Sequence, residues 1–276
     1  MAFPKNIVGL TSVNDNQTTK AIARTSVIDY VKLGNNISCI SANAFRGCNN
    51  LSSINLPLSL SGDIGVSAFG GCTSLNYIGF PSGIRKIQND AFNSCTKMKN
   101  VSFSTNIEYV GKTAFSNSGL NRFILLGNGW DNISAGLTAF GHCDSLETIG
   151  IGFSMPAIPN YFATNSKNLR EIILDDDYVL SVGAYAFSNC ESLRRVVLPT
   201  DLKYLGIGAF QNCKSLKLIE FPPTIQTIQN GAFSNCYGLA TFDFRKCLSV
   251  PTLVSYTAFS ATPTDREIIV PDDLYS

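Results

Sequence analysis

The chain of 276 residues is poor in the side chains that most chemistry uses. It holds one histidine and one tryptophan, and only 15% of its residues are charged, against about 25% in ordinary globular domains. A single histidine removes most acid–base and metal designs at the outset. Twenty-one basic residues face twenty acidic ones, a formal charge of +1. No strong field of either sign follows, which argues against a binder of nucleic-acid backbone. Long apolar runs are also missing, so no helix spanning a membrane is predicted. Met1–Leu10 lacks the basic start and apolar run of a secretory signal. Hydrophobic residues make up 45%, enough for a packed core.

What the chain has instead is a repeat. Ala-Phe occurs at Ala44-Phe45, Ala68-Phe69, Ala91-Phe92, Ala114-Phe115, Ala139-Phe140, Ala186-Phe187, Ala209-Phe210, Ala232-Phe233 and Ala258-Phe259. Tyr161-Phe162 is taken to fill the one gap, so the phenylalanines are spaced by 24, 23, 23, 25, 22, 25, 23, 23 and 26 residues. Apolar residues keep the same phase, as at Leu193, Val196 and Leu198, or Leu216, Ile219 and Phe221, and proline often follows. Leu-x-x-Ile-x-Leu supplies a short strand whose alternate side chains point inward. One coil of about 23 residues cannot bury that face alone, so coils stack with parallel strands and a shared core. Ten or eleven coils at about 4.8 Å each predict one solenoid roughly 50 Å long.

These units resemble the BspA-like class of leucine-rich repeat, whose pattern is Leu-x-x-Ile-x-Ile-Pro, Ile-x-x-Ile-Gly, Ala-Phe-x-x-Cys. Residues 193 to 236 follow it most closely, from Leu193 through Ala209, Phe210 and Cys213 to Cys236. The resemblance implies an α/β-type solenoid, mostly β: a right-handed superhelix with a parallel sheet on its concave face. Residues 1–27 are expected to form an N-terminal cap, 28–250 the repeats and 251–276 a C-terminal cap with a closing strand at 267–271. The resemblance further implies a non-enzymatic adhesion module at the cell surface or outside the cell, which binds a protein or glycan. A structural or receptor-binding part of a bacteriophage virion or tail is the alternative. No cofactor, metal, nucleic-acid partner or membrane insertion is expected, and the oligomeric state stays open.

Seven of nine cysteines stand three residues after the repeat phenylalanine: Cys48, Cys72, Cys95, Cys143, Cys190, Cys213 and Cys236. Ser118, Asn165 and Thr262 are expected in that slot elsewhere. A residue type locked to repeat phase is a packing position, so buried free thiols are predicted; the alternative is disulfides between adjacent coils about 4.8 Å apart, against which stand side chains that run parallel. Cys39 and Cys247 fall out of phase. His142 beside Cys143 suggests a thiol–imidazole pair, but its slot elsewhere holds Gly47, Gly71, Ser94 and asparagines, a tolerant turn. Asp175, Asp176 and Asp177 suggest calcium, against which stands an acidic solvated turn. Between Leu125 and Ala139 the coil is three residues longer than from Leu198 to Ala209, and it carries Trp130. An exposed tryptophan anchors partners well; the alternative is a ring folded over its own coil. On the strand face, Ile124, Ile173 and Val197 are expected to form an exposed apolar patch with Arg122, Glu171 and Arg195 nearby. Together with Trp130 these are the candidate binding residues; the alternative is that branched side chains merely suit an exposed strand.

Overall fold

The structure, a computed structural model, describes residues 6–10, 28–103, 106–126, 134–135, 137–152, 155–174, 179–247, 249, 251 and 253–271. Trp130 and Asp175 to Asp177 lie outside them. Two compact units divide the chain: Met1–Arg122 with Ile133–Ser145, and Phe123–Asn132 with Leu146–Ser276. Each is a parallel β solenoid, and the described residues contain no helix.

Every regular coil has three sides. The first carries the Leu-x-x-Ile-x-Leu strand, such as Glu171–Leu174 or Leu218–Glu220. The second carries a two-residue strand not foreseen from the sequence, such as Tyr204–Leu205 or Thr227–Ile228. The third is the Ala-Phe turn. Register between coils is one to one: Ile149 pairs with Ile172 and Ile172 with Val196 on the first side, Leu205 with Ile228 on the second. Equivalent apolar residues thereby stack inward at every turn. The first unit opens with a strand at Asn6–Leu10, one repeat before Tyr30–Leu33 and paired with it in parallel. The expected closing strand is present as Glu267–Ile269 on Thr241–Asp243. Its inward residue Ile268 is 52% exposed, where the neighbouring Phe242 is buried.

The turn side explains the repeat. Its backbone alternates between right- and left-handed conformations, with positive φ two residues before and two after the repeat phenylalanine, as at Asn43 and Gly47 or Ser67 and Gly71. Alternate N–H groups then point along the stack and donate to the next coil: Asn43 to Val66, Phe45 to Ala68 and Gly47 to Gly70, at 2.7 to 2.8 Å. Alanine beneath each ring is fully buried. Inside, phenylalanine rings stack face to face, Phe45, Phe69, Phe92, Phe115 and Phe140 in the first unit at 5.1 to 5.4 Å. In the second unit Phe187, Phe210, Phe233 and Phe259 do the same at 5.4 to 5.8 Å.

One coil corrects the sequence reading. The position equivalent to the repeat phenylalanine is Ala163, not Phe162. Ala163 donates its N–H to Ala186, as Phe187 does to Ala209, and the left-handed pair are Tyr161 and Asn165. The coil thus reads Phe-Ala where the others read Ala-Phe. Phe162 still fills the core, meeting Phe187 edge-on at 6.2 Å. Spacing to the neighbours becomes 23 and 24 residues, and Ser166 rather than Asn165 takes the cysteine slot, fully buried.

Candidate binding face

The first side of the second unit contains an interruption. Strands Arg122–Leu126, Thr148–Gly152, Glu171–Leu174 and Arg195–Val197 form one hydrogen-bonded sheet; Leu218–Glu220, Thr241–Asp243 and Glu267–Ile269 form another. Arg195–Val197 and Leu218–Glu220 are consecutive in the stack but share no ladder. The other sides of the same coils are unbroken: Tyr204 pairs with Thr227, and Phe210 donates to Ala232 at 2.8 Å. The opening is therefore local to one side.

The opening coincides with a change of side-chain size at the last inward position of the strand. That position is aliphatic at Ile151, Leu174 and Leu198, then aromatic at Phe221 and Phe244, whose rings stack at 4.3 Å. A ring after an aliphatic side chain needs more room than the strand spacing allows. The first unit behaves alike: its ladder breaks between Ser53–Asn55 and Tyr77–Gly79, where Leu56 is followed by Phe80. These two breaks leave inward residues half-buried, Ile54 with Leu56 and Val196 with Leu198, whereas Ile172, Leu174, Ile219 and Phe221 are fully buried.

At the second break the result is a groove of ≈ 490 Å³. Val196, Leu198, Phe221 and Pro222 supply apolar lining; Val197 and Leu218 stand at its sides, Leu218 being 43% exposed. Arg194, Arg195, Glu220 and Lys246 provide the charge. Arg195 is paired with Glu171 on the preceding coil and Lys246 with Glu220 at 3.0 Å. Such exposed pairs contribute about 0–1 kcal/mol each, so they order the rim more than they stabilise the fold.

The groove gathers two of the residues named from sequence, Arg195 and Val197. Glu171 and Ile173, both half-buried, lie one strand away in register with them. Ile124 is exposed, but the buried Gly150 occupies the intervening strand, so Ile124 is separated from Ile173. Arg122, exposed, falls in the first unit. Leu218, Glu220 and Lys246 were not singled out from sequence. The step from Leu198 to Phe221 at one repeat position is the signal that finds them.

The cysteines are free and form a ladder. Cys72, Cys95, Cys143, Cys213 and Cys236 each donate the thiol proton to the phenylalanine carbonyl one coil back, at 3.0 to 3.3 Å. Cys190 reaches the equivalent Ala163 carbonyl at 3.5 Å. Ser118, Ser166 and Thr262 replace cysteine with another small side chain that has a donor, all buried. Burial pushes the thiols of Cys48 and Cys95 up to about 12 and that of Cys143 up to about 11. Protonated thiols of this kind are weak nucleophiles. Cys247, out of phase, is buried and donates to the Pro222 carbonyl at 3.4 Å; Cys39 is half-exposed. His142 is exposed with φ 58°, in the left-handed slot that elsewhere takes glycine, asparagine, Ser94 or Ala261. Its neighbour Cys143 points into the core. Among the described residues no three His, Cys, Asp or Glu side chains converge as metal ligands, and no helix is long and apolar enough to cross a membrane.

Comparison with known proteins places this architecture. The profile of the BspA type leucine rich repeat region matches residues 18–137 and 132–265. The chain belongs to the BspA-type leucine-rich repeat family. Its fold resembles a leucine-rich repeat protein from Bacteroides ovatus (TM-score 0.57, 21% identity, 89% of this chain and 73% of that one). It also resembles the T. pallidum leucine rich repeat protein (TM-score 0.52, 24% identity, 68% of this chain and 78% of that one). No curated protein matches the chain.

Proposed function

We propose that this BspA-type chain is a non-catalytic recognition module, displayed at a cell surface or outside the cell, that binds a protein through the first side of its second unit. The observation that carries this reading is the groove beside Leu218. Core-type side chains at Val196 and Leu198 are open to solvent there, inside a rim of ordered charge. Apolar surface in a concave, charge-rimmed site is the usual mark of a place that another molecule covers. The stacked coils support the same reading, because they hold this face rigid and leave its outward residues free to vary. Membership of a repeat family favours recognition over catalysis only as an analogy of fold.

The test is binding of labelled chain to whole cells and to immobilised matrix proteins, with an Arg195→Ala/Val197→Ala/Leu218→Ala variant beside it. Saturable binding that the folded variant loses supports the reading. Binding that the variant retains moves the site elsewhere, and no binding to any surface removes the adhesion role.

A further inference from the structure

We propose that the occupant of the groove is an extended acidic peptide segment, one aliphatic side chain of which enters between Val197 and Leu218. This rests on the recognition reading above and names the partner's chemistry.

The lining calls for an aliphatic group. Val196 and Leu198 occupy inward positions that are sealed in the neighbouring coils, and they are half-exposed here, where the next strand, which leads into Phe221, shares no ladder with theirs. A volume of ≈ 490 Å³ takes a short stretch of chain rather than a folded surface. The strand arrangement calls for an extended backbone. Arg195–Val197 and Leu218–Glu220 share no ladder, so their facing backbone groups are left outside it. A peptide lying along the slot can meet such groups while alternate side chains point into it.

The charge calls for carboxylates. Arg194, Arg195 and Lys246 line the groove against one acid, Glu220. Arg195 and Lys246 already have partners. Arg194 is exposed and, like its exposed neighbour one coil on, Lys217, makes no ion pair among the described residues. The unanswered charge at this site is positive. A strand that alternates acidic and aliphatic residues answers both the cations and the apolar lining. An acidic oligosaccharide answers only the cations.

Fluorescence anisotropy with defined probes tests this on the full chain. The probes are a labelled peptide alternating glutamate with valine, the same peptide with lysine for glutamate, the same with serine for valine, and a sulfated oligosaccharide. The glutamate–valine peptide is expected to bind saturably. Affinity is expected to fall about tenfold or more with either altered peptide, and likewise with Leu218→Glu or Arg194→Glu. Leu180→Glu, a similarly exposed leucine outside the groove, is expected to bind as wild type, and circular dichroism shows that each variant is folded. Glutamate–valine binding unchanged by Leu218→Glu overturns the proposal, as does binding of the oligosaccharide in its place. Absence of peptide binding also overturns it, while retained capture of cells or matrix protein leaves the recognition reading standing.

Discussion

Asn212 offers a sharp test of the turn side. Its φ is 61°, and its side-chain amide donates to Asn189 at 2.6 Å, while Asn189 in turn donates to Asn165 at 2.8 Å. Its own backbone N–H donates to Ser234 at 2.8 Å, a bond that alanine and glycine both keep. Asn212→Ala loses the side-chain hydrogen bond, about 1 kcal/mol. It also places an ordinary side chain in the left-handed region, about 1.5 kcal/mol more. Asn212→Gly loses the same bond, avoids the strain, and costs about 0.7 kcal/mol through the freer unfolded chain. The totals are roughly 2.5 and 1.7 kcal/mol, with alanine the worse. At Gln211, whose φ is not positive, the order reverses and glycine is worse by about 0.7 kcal/mol. At about 2–4 °C per kcal/mol, the melting temperature falls by about 5–10 °C for Asn212→Ala and about 3–7 °C for Asn212→Gly. Far-UV circular dichroism during heating and in urea reads all four variants. Alanine tolerated at 212 as well as glycine, with the same order at both positions, refutes the left-handed account of the repeat.

Other expectations follow from the core and the charges. Phe210→Ala, removing a ring stacked on two others, is expected to cost about 3–5 kcal/mol, and Phe259→Ala, half-buried at the end of its stack, clearly less; urea midpoints compare them. Ellman's reagent at neutral pH is expected to modify Cys39 readily in the folded chain and the buried thiols only on unfolding. Thiols with raised folded-state pKa bind protons more tightly folded than unfolded, so their contribution is complete below the ordinary value of 9.0 and is lost as pH rises toward about 11 for Cys143 and Cys247 and about 12 for Cys48 and Cys95. Urea midpoints should therefore fall across that window, and less steeply in Cys143→Ala. Asp243 runs the other way: hydrogen bonds from Arg245, the shortest 2.6 Å, hold its buried carboxyl below the usual range. That contribution is present above the ordinary carboxylate pKa and lost in acid, so Arg245→Ala should destabilise the chain at neutral pH and have little effect near pH 3.

The period, the inward strand residues and the cysteine slot were readable from sequence because each is a side-chain requirement repeated in phase. The second strand of each coil was not, because two residues such as Tyr204 and Leu205 are too few to show alternation. The Asn6–Leu10 strand escaped for a related reason, since no Ala-Phe pair follows it in the sequence before Ala44-Phe45. The groove was half legible. Arg195 and Val197 stood out as exposed-face residues, but the opening itself depends on a difference between neighbouring coils, Leu198 against Phe221, and a search for what repeats passes over what changes. Ile124 was joined to the patch by face alone; Gly150 in the strand between divides them.

The inverted coil at Phe162-Ala163 shows what the interior asks of each turn. A ring is delivered there from the adjacent Cα and lies edge-on, yet the backbone bonds of the turn, from Ala163 to Ala186 and from Asn165 to Ser188, keep their usual places. Backbone and core are thus satisfied by separate currencies: the turn needs its alternating handedness, and the interior needs one aromatic volume per coil from whichever of two positions supplies it. A swap of the two residues in any other coil is then a change of filling and not of frame. Divergent members of such repeats can lose the Ala-Phe signature while conserving the stack that it built.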